Sequence, residues 1–214
     1  MGVPETGTPS DVHKRYIERV EKGGQEGLVV RSERGLTYKI KPTFSVDLVI
    51  LAFGERIVGS EAQLRELEVG LVREDGTFQL VGSVGGGFSE DDRKAWYTRL
   101  SKEVVPSMFR LANRERTLCR FVRPNIIIEV RVSDFLATDT WDRPLQRMSL
   151  RYDAETGYSP LLETPVAVPI HPVFVRERND KAVDVGNVGL SQIEAYIEQA
   201  GQDKKLVARA ASET

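Results

Sequence analysis

Gln25-Glu26-Gly27-Leu28-Val29-Val30-Arg31-Ser32 places a carboxylate and a glycine ahead of an apolar, β-branched run, and such residues favour an extended strand. Glu33-Arg34-Gly35 predicts a turn, because glycine takes a positive φ without a steric penalty. Thr37-Tyr38-Lys39-Ile40-Lys41-Pro42 then alternates, which predicts the returning strand of a hairpin. On that strand Tyr38 and Ile40 point one way, and Thr37, Lys39 and Lys41 the other. Two ammonium groups at alternate positions on one face form a point-charge clamp suited to phosphate. Glu26, heading the neighbouring strand, can offer a carboxylate to a divalent metal that bridges phosphate oxygens. A solvated lysine face and an ordinary turn are the competing readings of the same residues.

The combination resembles two motifs of the covalent nucleotidyltransferases. Glu26-Gly27-Leu28-Val29-Val30 is similar to their motif IV, and Lys39-Ile40-Lys41 to the Lys-x-Lys of motif V. Within that superfamily the chain resembles the ATP-dependent DNA ligases. Asp47-Leu48-Val49-Ile50-Leu51-Ala52-Phe53-Gly54 is similar to the first strand of the ligase OB-fold domain. Val84-Gly85-Gly86-Gly87-Phe88-Ser89 resembles that domain's strand-to-helix turn, and Arg176-Glu177-Arg178-Asn179-Asp180-Lys181 the Arg-x-Asp-Lys end of motif VI. The likeness runs over roughly residues 10–195.

The resemblance implies an α+β fold: the C-terminal part of an antiparallel nucleotidyltransferase sheet over 1–44, then an OB-like β-barrel with helices over 45–200, and a flexible tail at 201–214. It implies ATP as the source of AMP, Mg2+ placed by Glu26, and Lys39 and Lys41 stabilising the transferring phosphate. It implies nicked duplex DNA as the partner. The family's nucleophile is the lysine of a Lys-x-Asp-Gly, which does not occur here. The expectation is therefore a C-terminal portion that works with a second chain carrying the adenylated lysine. A non-catalytic ligase-derived binding module is the alternative, and an RNA-joining or capping relative a third reading. Where ligases carry Arg-Phe-Pro-Arg ahead of Arg-x-Asp-Lys, this chain has Ile170-His171-Pro172-Val173, without either arginine.

Composition narrows the field from the other side. The net charge of −2 excludes a global basic field, so any DNA surface must be a local patch. The richest basic stretch is Arg110, Arg114, Arg116, Arg120 and Arg123, opposed only by Glu115. Arginine forks suit phosphate, and Arg176, Arg178 and Lys181 are further candidate DNA contacts. Phe109, Phe121 and Trp141 can stack on bases, but a place in the core is the plainer expectation. Cys119 stands alone, which excludes an internal disulfide and fits a reducing, cytoplasmic address. No run is apolar and long enough to span a membrane. Gly2 and Thr6 fit a short myristoylation pattern, discounted for want of a second anchoring signal. His13 and His171 lack partners at zinc-ligand spacing, and no nucleophile elbow occurs.

Local signals predict the remaining elements. Ser10 is the expected N-cap of a first helix that Gly23-Gly24 stops. Apolar strands are expected at 47–53, 68–74 and 77–84, with a charged loop or helical segment at 57–66 and a tight turn at Asp75-Gly76. Ser89 and Asp92 predict a helix to about residue 103 with Trp96 and Leu100 on its core face. A further strand is expected at 125–132, loops at 133–142 and 153–164, strands at 148–152 and 165–178, and a last helix from Ser191 to about Gln199. Gly85-Gly86-Gly87 reads as a tight strand-to-helix turn in preference to a phosphate cradle.

Overall fold

A computed structural model describes residues 6–197. The chain divides into two compact units at Phe44/Ser45. In the first, helix α1 (Pro9–Tyr16) is capped by Thr8, two residues before the expected Ser10. Thr8 accepts the N–H of Asp11, Asp11 reciprocates, and Pro9 sits where a missing N–H is harmless. The Thr8-x-x-Asp11 pair is thus the operative start signal, not Ser10. A π-helical turn (Ile17–Glu21) continues it.

Strands β1 (Leu28–Arg31) and β2 (Thr37–Ile40) form the expected antiparallel hairpin. Gly35 has φ 79°, and the N–H of Ser32 donates to Leu36 O at 2.8 Å. Gly27 is needed for close approach: a Cβ there would stand 2.5 Å from the carbonyl oxygen of Ile40. The glycine of the Glu-Gly pair ahead of the strand therefore has a backbone reason.

The second unit is built on a long meander. Strands β3 (Phe44–Val58), β4 (Glu61–Val72) and β5 (Phe78–Val84) are antiparallel neighbours. The segment 57–66 is no loop or helix but the arms and tip of the β3–β4 hairpin, turned at Gly59-Ser60. Helix α2 (Glu90–Leu100) follows, with Ser89 and Asp92 forming the expected reciprocal cap. Trp96 and Leu100, one helical turn apart, are its buried residues. After a covering segment with the short β6 (Arg120–Phe121) come β7 (Ile127–Val132), β8 (Asp134–Leu136), β9 (Gln146–Asp153), β10 (Gly157–Pro165), β11 (Val168–Ile170) and β12 (Val173–Glu177). Residues 133–142 are not all loop, because β8 pairs with β11. Nor is 153–164 a loop. Asp153 accepts the N–H groups of Glu155 and Thr156, and the chain reverses into β10. Helix α3 (Val185–Val188) and a helical segment from residue 191 close the described chain. The expected tail at 201–214 lies outside the described residues.

The main sheet runs β10-β9-β5-β4-β3-β7-β12, with β6 also on β3. Its path is open, so it is OB-like without being a fully closed barrel. The loop after β5 and the start of β12 still meet. Gly86 forms a parallel bridge with Val173, and the N–H of Phe174 donates to Gly86 O at 2.9 Å. Gly87, at φ 92°, lies so close that a Cβ would be 2.4 Å from Phe174 O. The glycine run thus serves the chain's own closure. Apolar side chains fill two clusters, one including Leu48, Leu67, Trp96 and Ile128, the other Leu51, Phe121, Leu150 and Tyr158.

Candidate nucleic-acid interface

Three groups of predicted site residues fall in three places. On the first hairpin, Lys39 stands opposite Val29 and both are exposed. Lys41, just beyond β2, pairs its ammonium with the Glu26 carboxylate. The Lys41 hydrogen bond and charge, with a smaller pull from Lys39, hold that carboxyl below its usual range. Glu26, Lys39 and Lys41 are therefore brought together, but Glu26 already has a cation. No group of three or more His, Cys, Asp or Glu side chains able to hold a metal occurs among the described residues. Glu26 offers one carboxylate, so it would supply a single ligand to a Mg2+ and not a cage made by this chain.

The basic stretch splits. Residues 112–118 form a tight hairpin whose base is the Ala112–Leu118 bridge. Asn113 Oδ1 accepts the N–H groups of Glu115 and Thr117 at 3.0 and 2.9 Å, and Arg116 turns the chain at φ 64°. Glu115 is drawn aside by Arg65 at 2.8 Å. Arg114 and Arg116 are left exposed on the hairpin, with Arg110 exposed ahead of it. Arg120 instead lies over the Phe53 ring, 5.3 Å from its centroid, and 3.8 Å from Glu55. Arg123 lies 3.9 Å from Glu103.

The third group is fastened to the sheet. Arg178 Nη1 donates to both carboxylate oxygens of the buried Asp47 at 3.1 Å, and Lys181 binds the same carboxylate. Gln192 clasps the Asp47 backbone, accepting from its N–H and donating to its carbonyl, each at 3.0 Å. The other side of Arg178 forms a two-point bond to Asp180 at 2.9 and 2.8 Å. That bond holds the Asp180 carboxyl well below the usual range. Arg176 donates to Glu129 at 2.8 Å and depresses its pKa. Three cations thus meet three carboxylates, an arrangement that binds the C-terminal strand to β3 and β7 before it binds anything else. His171, in the run without arginines, bonds Ser133 Oγ through Nδ1 at 3.0 Å.

Sequence reasoning passes over Asp47 and Glu68, whereas Trp141, weighed for base stacking, departs from its expected place in the core. Asp47 is legible in the sequence only as one acid heading an apolar run. Glu68 on β4 is buried, with no cation bonded to it among the described residues, 4.0 Å from the Cys119 thiol. Burial, aided by Glu66, pushes its carboxyl up to about 8, while burial beside these acids pushes the Cys119 thiol up to about 12. Phe121 is buried and Phe109 packs beside it, as expected of core aromatics, but Trp141 is 74 % exposed.

An OB-like antiparallel domain, preceded by a two-stranded hairpin and carrying an exposed arginine turn, defines the class of the molecule. The family model described as ATP dependent DNA ligase C terminal region matches residues 60–181, more than half of the chain, and the chain belongs to that family. It is 28% identical over 136 residues to a probable DNA ligase of Streptomyces griseus, and 29% identical over 138 residues to one of Streptomyces coelicolor. These matches cover 59% and 60% of this chain but 24% and 25% of those proteins, so the chain spans about a quarter of the length of the curated relatives it matches. The ligase domain of LigD from M. tuberculosis is similar in shape at a TM-score of 0.44 and 18% identity, over 82% of this chain and 50% of that one. No helix among the described residues is long and apolar enough to cross a membrane.

Proposed function

We propose that this chain is the DNA-gripping C-terminal part of an ATP-dependent DNA ligase that seals nicks in duplex DNA during repair, replication and recombination in the cytoplasm. The observation that carries the proposal is the hairpin at 112–118, which turns Arg114 and Arg116 to solvent while Arg65 removes the intervening acid. Such cations position a duplex through its phosphates without reading sequence. The first hairpin contributes the nucleotidyl-transfer chemistry. Lys39 and Lys41 stabilise charge on the phosphate as AMP moves, an electrostatic role in which one preorganised donor is worth about 10²-fold or more in rate. In this reading Lys41 exchanges Glu26 for phosphate when nucleotide arrives, and the released Glu26 becomes available to Mg2+. The adenylated lysine comes from the part of the ligase that the chain does not span, whether on the same polypeptide or on a second one.

The test is nick sealing on a labelled duplex with ATP and magnesium, after adding a ligase fragment that carries Lys-x-Asp-Gly. Lys39→Ala and Lys41→Ala are expected to lower sealing about 10²-fold while the fragments still associate. Sealing equal to the parent's in both variants removes the motif V assignment. A second reading, a non-catalytic ligase-derived module, is favoured by one observation: Ile170-His171-Pro172-Val173 has no arginine for the pyrophosphate of ATP. Duplex binding without sealing in the same assay supports that reading.

A further inference from the structure

The tip between β8 and β9 is organised around one carboxylate. Asp139 Oδ1 accepts the N–H of Trp141 at 2.8 Å and of Arg143 at 3.0 Å, and Oδ2 accepts Nε of Arg143 at 2.8 Å. The N–H of Asp139 donates to Arg143 O at 2.9 Å, that of Asp142 to Asp139 O at 3.0 Å, and Thr138 bridges Pro144. Asp142 makes the reversal at φ 56°. The Arg143 guanidinium carbon lies 4.9 Å from the Trp141 ring centroid, and the ring is still 74 % exposed.

An indole held in water is unfavourable, since its large apolar surface gains by burial. Here the backbone beneath it is fixed, and the cation beside it is oriented by the same carboxylate. A ligand that covers this ring therefore meets a preorganised platform and little ordering is left to do. Cations favour an anionic ligand. Arg143 stands at the tip, and Arg147 and Arg151 follow, exposed on one face of β9. From residue 139 to residue 151 these three arginines face two carboxylates, Asp139 and Asp142.

We infer that Trp141 and Arg143 form a stacking site for an unpaired base of single-stranded DNA, such as the displaced or frayed end beside a nick. A flat, π-rich base covers the indole while its backbone phosphate follows the arginines, and every base has a face to offer, so the site is indifferent to sequence. The inference rests on the reading that this part of the ligase binds DNA.

The test uses the full chain and two probes of equal length, an oligodeoxythymidine and an abasic strand with the same phosphates. The chain has two tryptophans, and Trp96 is buried, so a quench of the exposed emission reports Trp141. The oligonucleotide is expected to quench and the abasic strand not to. Trp141→Ala is expected to weaken oligonucleotide binding about tenfold, leaving the abasic strand and an intact, fully paired duplex bound as before. Trp141→Phe, which keeps a ring, is expected to keep most of the base-dependent affinity. If both strands bind alike, or Trp141→Ala changes nothing, stacking is wrong while DNA binding stands. If neither strand nor duplex binds, both the inference and the DNA-binding reading fail.

Discussion

Asp47 and Glu68 are buried carboxylates on neighbouring strands of one sheet, 7% and 8% exposed, yet their surroundings are opposite. Asp47 meets a guanidinium and an ammonium, and its backbone is bonded on both sides by Gln192. Glu68 has a thiol 4.0 Å away and a second acid, Glu66, as neighbour, and the pull of Arg147 is the weakest influence on it, so it folds as the neutral acid. Burial by itself decides neither outcome. A carboxyl withdrawn from water keeps its charge when cations replace the solvent, and otherwise it keeps its proton. The first arrangement ties the start of β3 to the segments after β12, and the second leaves a pH-dependent weak point in the sheet.

The largest expected effect breaks the Asp47 side of the contrast. Asp47→Asn keeps the shape but leaves Arg178 and Lys181 without their shared counter-charge. Removing one partner of a buried pair costs about 3 kcal/mol or more, and urea unfolding measures it. A variant as stable as the parent makes the network ornamental.

Next comes the Glu68 side, where the sign reverses. The folded-state carboxyl titrates at about 8 against an ordinary 4.5. Below 4.5 both folded and unfolded chains hold the proton, and the group has no effect. Between 4.5 and about 8 the unfolded chain releases its proton while the folded one keeps it, so stability falls as pH rises. From pH 5 to 7 the loss is on the order of 2 kcal/mol. Glu68→Gln is expected to remove this slope and to be the more stable protein at pH 8. Parallel stability curves for parent and variant sink the idea.

The smallest structural effect, and the most informative for function, concerns the exposed cations of the 112–118 hairpin. Arg116→Gly suits the left-handed turn and removes a cation, and Arg114→Ala removes another. Thermal unfolding is expected to be unchanged in both. Each phosphate that the hairpin no longer neutralises is expected to reduce the slope of log affinity against log salt for duplex DNA by about 0.9. An unchanged slope means that the hairpin does not touch phosphate. Arg120 is a poor choice for this experiment, since its place over Phe53 mixes packing with charge.

What is legible in the sequence follows the range of the signal. The 28–40 hairpin, the Asp75-Gly76 turn, the Ser89 cap and the apolar run at 127–132 are local, and each appears where its residues predict it. The stretch 57–66 is hidden because Glu61, Arg65 and Glu66 break the apolar alternation, although Arg65 and Glu66 sit only half-buried in a strand. The β10 strand is hidden by Pro160 and Pro165, although Asp153 and Gly157 already carry the chemistry of its turn. Residue type alone sends Trp141 inward, while the Asp139–Arg143 clamp that holds it outward is written close by. The fate of Arg178 is local only in its bond to Asp180, two residues on. Nothing near Arg178 indicates that its other partner lies 131 positions earlier.

That distance also sets a schedule. At about 5–20 residues per second of synthesis, Asp47 leaves the ribosome many seconds ahead of Arg178 and Lys181. During that interval the Asp47 end of β3 lacks the two cations that meet its carboxylate in the folded domain. The meander can form early, but it cannot settle until its last strand arrives and Phe174 docks on Gly86. A nascent chain released before Arg178 will hold most of the strands and none of the lock, which makes it a substrate for proteolysis and not a smaller version of the domain.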